Sequence, residues 1–188
     1  MPFELEIDYW KDRLKGVKPL NLFTDYPRPN VQSINKASIE FLVDEKVAKQ
    51  LNLFSTKHNV TLFVTLLAAY KVLLYRYSSQ EDICVGNPVL SSHTDKIESF
   101  ANALALRTEI NSSDNFEELL RRVNNTITDA LKHQTVPFEK VVNELVDDVD
   151  LSMNPLNQVM FVLQNGHELQ DGSFTQYTEK SDLVFKLK

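Results

Sequence analysis

The residues with the clearest chemical potential lie in the stretch HQTVPFEK, from His133 to Lys140. It places a histidine, a glutamine and a glutamate around a proline, and a histidine near a carboxylate is a common general acid–base arrangement. The stretch also suits a corner between two helices, because Pro137 costs nothing in the first turn of a helix, where the N–H that proline lacks has no partner. Taken locally, it leaves both interpretations open.

Other common catalytic and ligand-binding patterns are absent from the sequence. The four histidines are not spaced like metal ligands, the four glycines lie too far apart for a phosphate loop, and there is no GxSxG nucleophile elbow. Cys84 lies in the apolar run ICVGNPVL, so we expect a buried, inert thiol in preference to an activated nucleophile. Asp147, Asp148 and Asp150 could bind a cation, but a solvated turn is the favoured interpretation.

The composition is that of one sizeable globular domain. The chain has 188 residues, a formal net charge of −6 and 43% hydrophobic residues. The acidic balance and the lack of a basic cluster argue against a nucleic-acid partner. The N-terminus is unlike a signal peptide, a single cysteine cannot form a disulfide framework, and Lys71 interrupts the longest apolar run. We therefore expect no membrane partner and a cytoplasmic location.

Helical and strand patterns alternate along the chain and predict an α/β layered domain. Residues 18–33 contain three prolines and no period, so we expect an extended linker there. Asp44 and Thr61 suit the N-cap positions of two helices. The predicted helices are 4–15, 45–57, 62–78, 115–132 and 138–146, and the predicted strands are 37–43, 82–90, the second half of 101–110, 158–164 and 182–187.

Three segments, in order, resemble motifs from the C-terminal half of the condensation domains of nonribosomal peptide synthetases. The stretch HQTVPFE is similar to the family's HQDYPFE. IESFANALALR is similar to IGxFVNTLxLR, with matches at Phe100, Asn102, Leu104, Leu106 and Arg107. VDLSMNPLNQVMFVLQN is similar to RDxSRNPLFQVMFVLQN, with matches at Asp150, Ser152, Asn154, Pro155 and Leu156. The resemblance extends from Tyr9 to Asp182.

The resemblance implies a fold and a domain division. Condensation domains have two lobes, each similar to chloramphenicol acetyltransferase, with a mixed sheet covered by helices. Their catalytic signature, HHxxxDG, lies in the N-terminal lobe, and this sequence has no HH pair. We therefore expect residues 1–36 to be an inter-lobe helix and extended linker. Residues 37–188 would be the C-terminal lobe, truncated before its last strand and helix, and thus a fragment of a multimodular enzyme.

The implied activity is peptide bond formation between aminoacyl and peptidyl thioesters tethered to carrier proteins. This chain would supply tunnel wall and contacts to carriers and to the other lobe, with no catalytic residue of its own. By resemblance, residues 86–99 form a connection that crosses to the other lobe. The residues expected at the tunnel or lobe interface are Phe100, Asn102, Leu104, Arg107 and His93.

Each of these expectations has a plainer counterpart. Asn102 could instead satisfy backbone groups where a strand begins, and Arg107 could pair with a carboxylate or simply be exposed. The resemblance assigns the chemistry to the other lobe, so it favours a corner over an acid–base pair at His133. The remaining motif residues are expected to be mainly structural: His133, Gln134, Pro137, Phe138, Glu139, Asp150, Ser152, Asn154, Pro155 and Leu156.

The resemblance also implies partners and leaves alternatives open. No cofactor is expected to bind directly, because phosphopantetheine would be presented by partner carrier domains. The implied partners are the N-terminal lobe of the same domain, donor and acceptor peptidyl carrier domains and an adjacent adenylation domain. Exposed apolar surface where the other lobe docks would favour self-association. The alternatives are a non-catalytic interaction or docking lobe, or part of an epimerisation, cyclisation or acyl-CoA-dependent acyltransferase relative.

Overall fold

A computed structural model describes residues 4–28, 35–92, 99–145, 156–164 and 181–187, and at 90–92 and 99–101 it describes the backbone alone. These ranges hold five helices and four strands. In chain order they are α1 Glu4–Leu14, α2 Glu45–Lys57, α3 Leu62–Ser78, β1 Asp82–Ser92, β2 Ser99–Glu109, α4 Phe116–Lys132, α5 Phe138–Leu145, β3 Val159–Leu163 and β4 Leu183–Leu187. The interleaving confirms the predicted α/β class.

The four strands form one mixed sheet in the order β2-β1-β3-β4. β1 and β2 are an antiparallel pair whose register extends from Asp82 opposite Glu109 to Ser92 opposite Ser99. β3 is parallel to both β1 and β4. A mixed sheet is what the resemblance to a chloramphenicol acetyltransferase-like lobe predicted.

Helices cover both faces of this sheet. Ala103 and Ala105 of β2 line a small gap together with Trp10 of α1 and Val141 of α5. Thr108 of β2 instead faces α4, where its hydroxyl bonds to that of Thr126 at 3.3 Å. Successive residues of a strand point to opposite faces, so α1 and α5 lie on one face and α4 on the other. α3 contacts α4, β1 and β3.

The predicted helix starts are confirmed. The Asp44 side chain accepts a hydrogen bond from the backbone N–H of Lys46, and Thr61 accepts one from Val64. Asn115 forms a reciprocal capping box with Glu118, in which each side chain accepts from the other residue's N–H. Such caps satisfy backbone donors that have no partner inside the helix.

Two strand predictions were wrong in detail. Residues 37–43 belong to no strand, and Ile39 and Leu42 are 90% and 99% exposed. The alternating pattern favours a strand only where a neighbouring strand completes the ladder, and within the described ranges this segment has none. β1, predicted over residues 82–90, continues through Pro88 to Ser92. Pro88 is tolerated because, beyond Gly86, the register pairs β1 with β2 alone.

The connection expected over residues 86–99 overlaps two paired strands. Residues 86–92 belong to β1, and Ser99 belongs to β2, so β1 and β2 form one long hairpin. The hairpin tip lies outside the described residues. In the described part of the chain, no single helix is long and apolar enough to cross a membrane. α2 and α3 reach that length and composition only as a pair that is bent by 106°.

Candidate functional site

Two of the three sequence motifs meet at Asn102. Its side-chain nitrogen donates to the carbonyl oxygens of Gln134 at 2.8 Å and Val136 at 2.9 Å. Its side-chain oxygen accepts from the backbone N–H of Phe138 at 2.9 Å. Asn102 is 0% exposed. The side chain therefore satisfies backbone groups of the HQTVPFE corner and holds that corner on β2, which is one of the two roles that the sequence leaves open for Asn102.

The histidine of the corner ends α4 and contacts α1. The backbone N–H of His133 donates to the carbonyl of Ala130, and its ring nitrogen Nδ1 lies 2.9 Å from the carbonyl oxygen of Asp129. A carbonyl can only accept, so Nδ1 carries the proton. The imidazole stacks on the ring of Tyr9, with centroids 3.8 Å apart and planes 6° from parallel. The carbonyl oxygen of His133 accepts from Nε1 of Trp10 at 3.0 Å.

The rest of the corner begins the next helix. The carbonyl of Pro137 accepts from the N–H groups of Lys140 and Val141, and Phe138 is buried in the core. Glu139 is exposed, and within the described residues it makes no hydrogen bond to His133. The acid–base pair that the sequence left open is therefore not assembled in the described residues.

Arg107 joins β2 to β1 and to the end of α1. Its Nε and Nη2 donate to the two carboxylate oxygens of Asp82 at 2.9 and 2.8 Å. Its Nη1 donates to the carbonyl oxygens of Arg13 at 3.0 Å and Lys15 at 2.8 Å. The hydrogen bond to Asp82 raises the pKa of Arg107 above its usual value. The carboxylate that Arg107 pairs with thus lies on the neighbouring strand and not across an interface.

The remaining predicted site residues fall into three groups. Leu104, expected at the tunnel or lobe interface, and Leu156, expected to be structural, are each 2% exposed and lie in the interior of this chain. Phe100 lies in β2 opposite Ser91, where only the backbone is described. The others lie outside the described residues: His93, Asp150, Ser152, Asn154 and Pro155.

Sequence reasoning missed a glutamine that anchors the linker. Oε1 of Gln158 accepts from the backbone N–H of Leu20 at 2.7 Å, and its Nε2 donates to the carbonyl of Leu20 at 3.0 Å. Nε2 also donates to Asp182, which forms an ion pair with Arg28. The available signal was a polar residue at the start of an apolar strand, because such a residue needs a partner once it is buried.

A second missed residue is Lys71, which had been interpreted only as a break in an apolar run. It is 0% exposed, and its Nζ donates to the carbonyls of Ile83 at 3.0 Å and Leu106 at 2.5 Å. Burial lowers the pKa of Lys71 to about 7. Cys84 is also buried, and burial raises the pKa of its thiol to about 12, as expected for an inert cysteine.

The described residues offer little else that could do chemistry. Among them, no group of three or more His, Cys, Asp or Glu side chains could hold a metal ion. An open cleft of about 710 Å³ is lined by Tyr75, Arg76, Ser79, Glu81 and Ser112. None of the motif residues lines it. Instead, the side chains of Asn102 and Arg107 hydrogen-bond β2 to the corner and to the end of α1.

Comparison with protein families and curated proteins gives a consistent match. The family model described as the condensation domain matches residues 2–187. One of the linear gramicidin synthase subunits of Brevibacillus parabrevis is 47% identical over 165 residues, which cover 85% of this chain and 3% of that protein. Surfactin synthase subunit 1 of Bacillus subtilis (strain 168) is 39% identical over 165 residues, covering 85% of this chain and 5% of that protein. The chain thus spans a few per cent of these relatives.

Solved structures agree with this match. The X-domain from teicoplanin biosynthesis has a TM-score of 0.80 and 25% identity over 87% of this chain and 38% of its own. A complex of that X-domain with OxyB has a TM-score of 0.79 and 26% identity, and the match covers 89% of this chain and 38% of that one. Holo-AB3403, a four-domain nonribosomal peptide synthetase bound to AMP and glycine, has a TM-score of 0.74 and 27% identity, and the match covers 86% of this chain and 13% of that one.

Proposed function

The chain belongs to the condensation-domain family, and from that premise we propose that it is the C-terminal lobe of a domain that joins carrier-bound aminoacyl and peptidyl units through a peptide bond. The observation that carries the proposal is the family match over residues 2–187. It is supported by 47% identity to one of the linear gramicidin synthase proteins.

The chain contributes framework to this reaction, and the reacting groups come from elsewhere. Asn102, Arg107 and His133 are the motif side chains with the most chemical potential, and each is engaged in contacts within the chain. The sequence holds no HHxxxDG signature. The acid–base histidine therefore lies in an N-terminal lobe that precedes α1 in the parent protein, where it assists attack of the acceptor amine on the donor thioester.

The partners follow from the same proposal. They are the N-terminal lobe, donor and acceptor peptidyl carrier domains and an adenylation domain, and a resembled four-domain synthetase supports such a multidomain setting. The phosphopantetheine arm belongs to the carriers, which present it as the handle of the substrate. In this proposal the connection formed by residues 86–99 reaches towards the other lobe. A cytoplasmic location stays a prediction.

The test uses the parent protein together with loaded carriers. We expect the parent to form a dipeptidyl product, detected by mass spectrometry of the acceptor carrier, and this chain alone to form none. Replacing the second histidine of HHxxxDG in the parent by alanine is the control, and it should abolish the product. A product from this chain alone would contradict the assignment of chemistry to the other lobe.

A second candidate is an interaction lobe without catalytic activity. It is favoured by the resemblance to the teicoplanin X-domain, which has been solved in complex with OxyB. A parent that forms no product but binds a protein partner stably would support this candidate. The sequence before α1 also separates the enzymatic relatives, because HHxxxDG there favours condensation or epimerisation and a DxxxxD replacement favours cyclisation.

A further inference from the structure

The helix α1 is attached to the lobe along its whole length. Its apolar face, formed by Ile7, Trp10 and Leu14, is buried in the core. Helices of this length are marginal on their own, so the direction of α1 depends on these tertiary contacts. Polar contacts then fix how the helix lies on that surface.

The middle of α1 is held by His133. The imidazole lies flat against Tyr9 with centroids 3.8 Å apart, and the His133 carbonyl accepts from the indole of Trp10 at 3.0 Å. The bond from the ring to the Asp129 carbonyl, at 2.9 Å, fixes the orientation of the imidazole itself. Because the imidazole contacts Tyr9 of α1 on one side and the Asp129 carbonyl of α4 on the other, it holds α1 at one angle to α4.

The two ends of α1 are also fastened. At the C-terminal end, Arg107 donates to the carbonyls of Arg13 and Lys15, which the helix itself leaves unpaired. Gly16 follows in the left-handed conformation, with φ of 73°, and ends the helix. Nearer the N-terminus, the hydroxyl of Thr135 donates to Glu6. Contacts at its C-terminal end, in its middle and near its N-terminus therefore fix α1 on this lobe.

We propose that His133 is a positioning residue: it holds α1 rigidly on this lobe, and the N-terminal lobe takes its orientation from α1. The proposal rests on the proposed function, because it requires an N-terminal lobe before α1. An 11-residue helix is about 16 Å long, so a tilt of about 10° at Gly16 would move its N-terminus by about 3 Å. Reacting groups misplaced by ~1 Å can lose about 100-fold in rate, so such a tilt matters.

The first experiment measures the docking of α1 in this chain. Trp10 is the chain's one tryptophan and is 2% exposed, so its emission maximum and its quenching by acrylamide report on α1. In His133→Ala we expect a red shift, quenching increased by about threefold and faster amide exchange in α1, while α4 keeps its protection. His133→Phe keeps a flat ring against Tyr9 and should restore the wild-type values.

The matched control is His58→Ala. His58 also follows the end of a helix, α2, and packs on Phe54 with centroids 4.3 Å apart, but it contacts no residue of α1. The His58→Ala variant should leave the emission maximum and the quenching of Trp10 unchanged. Wild-type quenching and exchange in a folded His133→Ala chain would overturn the proposal. If that variant does not fold, Tyr9→Leu removes the other ring of the stack, and the same expectations apply to it.

The second experiment uses the parent protein, with one spin label at Gln50→Cys on the exposed face of α2 and one in the preceding lobe. The distance distribution should be narrow in the wild type and in His133→Phe, and broad in His133→Ala. The condensation rate should fall about 100-fold in His133→Ala, with little change in the half-saturating carrier concentration. If the distance distribution in His133→Ala is unchanged and the parent is active, the positioning role of His133 is refuted and the proposed function stands. A parent without a preceding lobe contradicts the proposed function as well.

Discussion

The side-chain oxygen of Asn102 accepts a hydrogen bond from the backbone N–H of Phe138 at 2.9 Å, 36 residues along the chain. Together with the bonds from its nitrogen to Gln134 and Val136, this amide replaces the backbone partners that a tight corner cannot supply. The motif asparagine and the HQTVPFE corner are therefore one structural unit. The first prediction concerns the energy of this unit.

Asn102→Leu should lower the free energy of unfolding by about 3 kcal/mol. It removes three hydrogen bonds to largely buried backbone groups, and a typical buried hydrogen bond contributes ~1 kcal/mol. Urea unfolding monitored by circular dichroism measures the change. The matched control is Asn52→Ala, because the Asn52 amide bonds the Ala48 carbonyl on an exposed helix. That control should change the free energy by less than about 0.5 kcal/mol. Equal changes in the free energy of unfolding in Asn102→Leu and Asn52→Ala would contradict the structural role of the Asn102 hydrogen bonds.

Lys71 should make the protein more stable as the pH rises from 7 to 9. Burial lowers its pKa to about 7 in the folded chain from 10.5, so between these values the unfolded chain binds a proton that the folded chain releases. Stability then rises with pH, by up to ~2 kcal/mol over this window. Above pH 9 the effect of Cys84 opposes it, because the pKa of its buried thiol, about 12, lies above the 9.0 of an exposed one.

The measurement is urea unfolding at several pH values in the wild type and in Lys71→Met. Methionine has a similar length and no titrating group, so the difference between the two chains isolates the lysine. The variant should lose the rise between pH 7 and 9. Lys49→Met is the control, since Lys49 pairs with Glu45 on the surface of α2, and it should keep the wild-type slope. A slope that survives in Lys71→Met would refute the assignment.

The chain's local features were predictable from the sequence, and its non-local polar contacts were not. Asp44 and Thr61 cap helices through neighbours two or three residues away, so the cap pattern alone indicated where α2 and α3 begin. Residues 37–43 have the pattern of a strand, but strand pairing depends on a partner elsewhere in the chain.

The direction of a buried polar side chain also depends on a partner elsewhere in the chain. Asn102 could have faced a tunnel or the interior, and the register of β2 against a corner more than thirty residues away decided it. Lys71 and Gln158 were missed because their partners are backbone carbonyls of distant segments, which carry no residue-type signal. The family resemblance identified the motifs, and only the three-dimensional structure assigned each side chain its contacts.

The pair of Arg107 and Asp82 should show measurable coupling. A double-mutant cycle with Arg107→Met and Asp82→Asn isolates the pair from its other contacts, and we expect about 1 kcal/mol. The value is discounted because the side chains are 18% and 34% exposed and partly screened by water. The exposed pair of Lys49 and Glu45 is the control, with an expected coupling of about 0.3 kcal/mol. Coupling no larger than in the control pair would contradict a structural role for this ion pair.

The chain should self-associate through the exposed apolar segment at residues 39–43. Ile39 and Leu42 are 90% and 99% exposed, and Phe41 lies beside Phe185 of β4 with ring centroids 6.0 Å apart. Large exposed apolar patches are uncommon on monomeric proteins, because covering them removes apolar area from water. Sedimentation velocity over a concentration series should show association in the wild type and its loss in Ile39→Glu with Leu42→Glu. Gln50→Glu changes the charge of an exposed polar position and should leave association intact. A wild-type chain that stays monomeric at the highest concentration would show that this segment is not an interface.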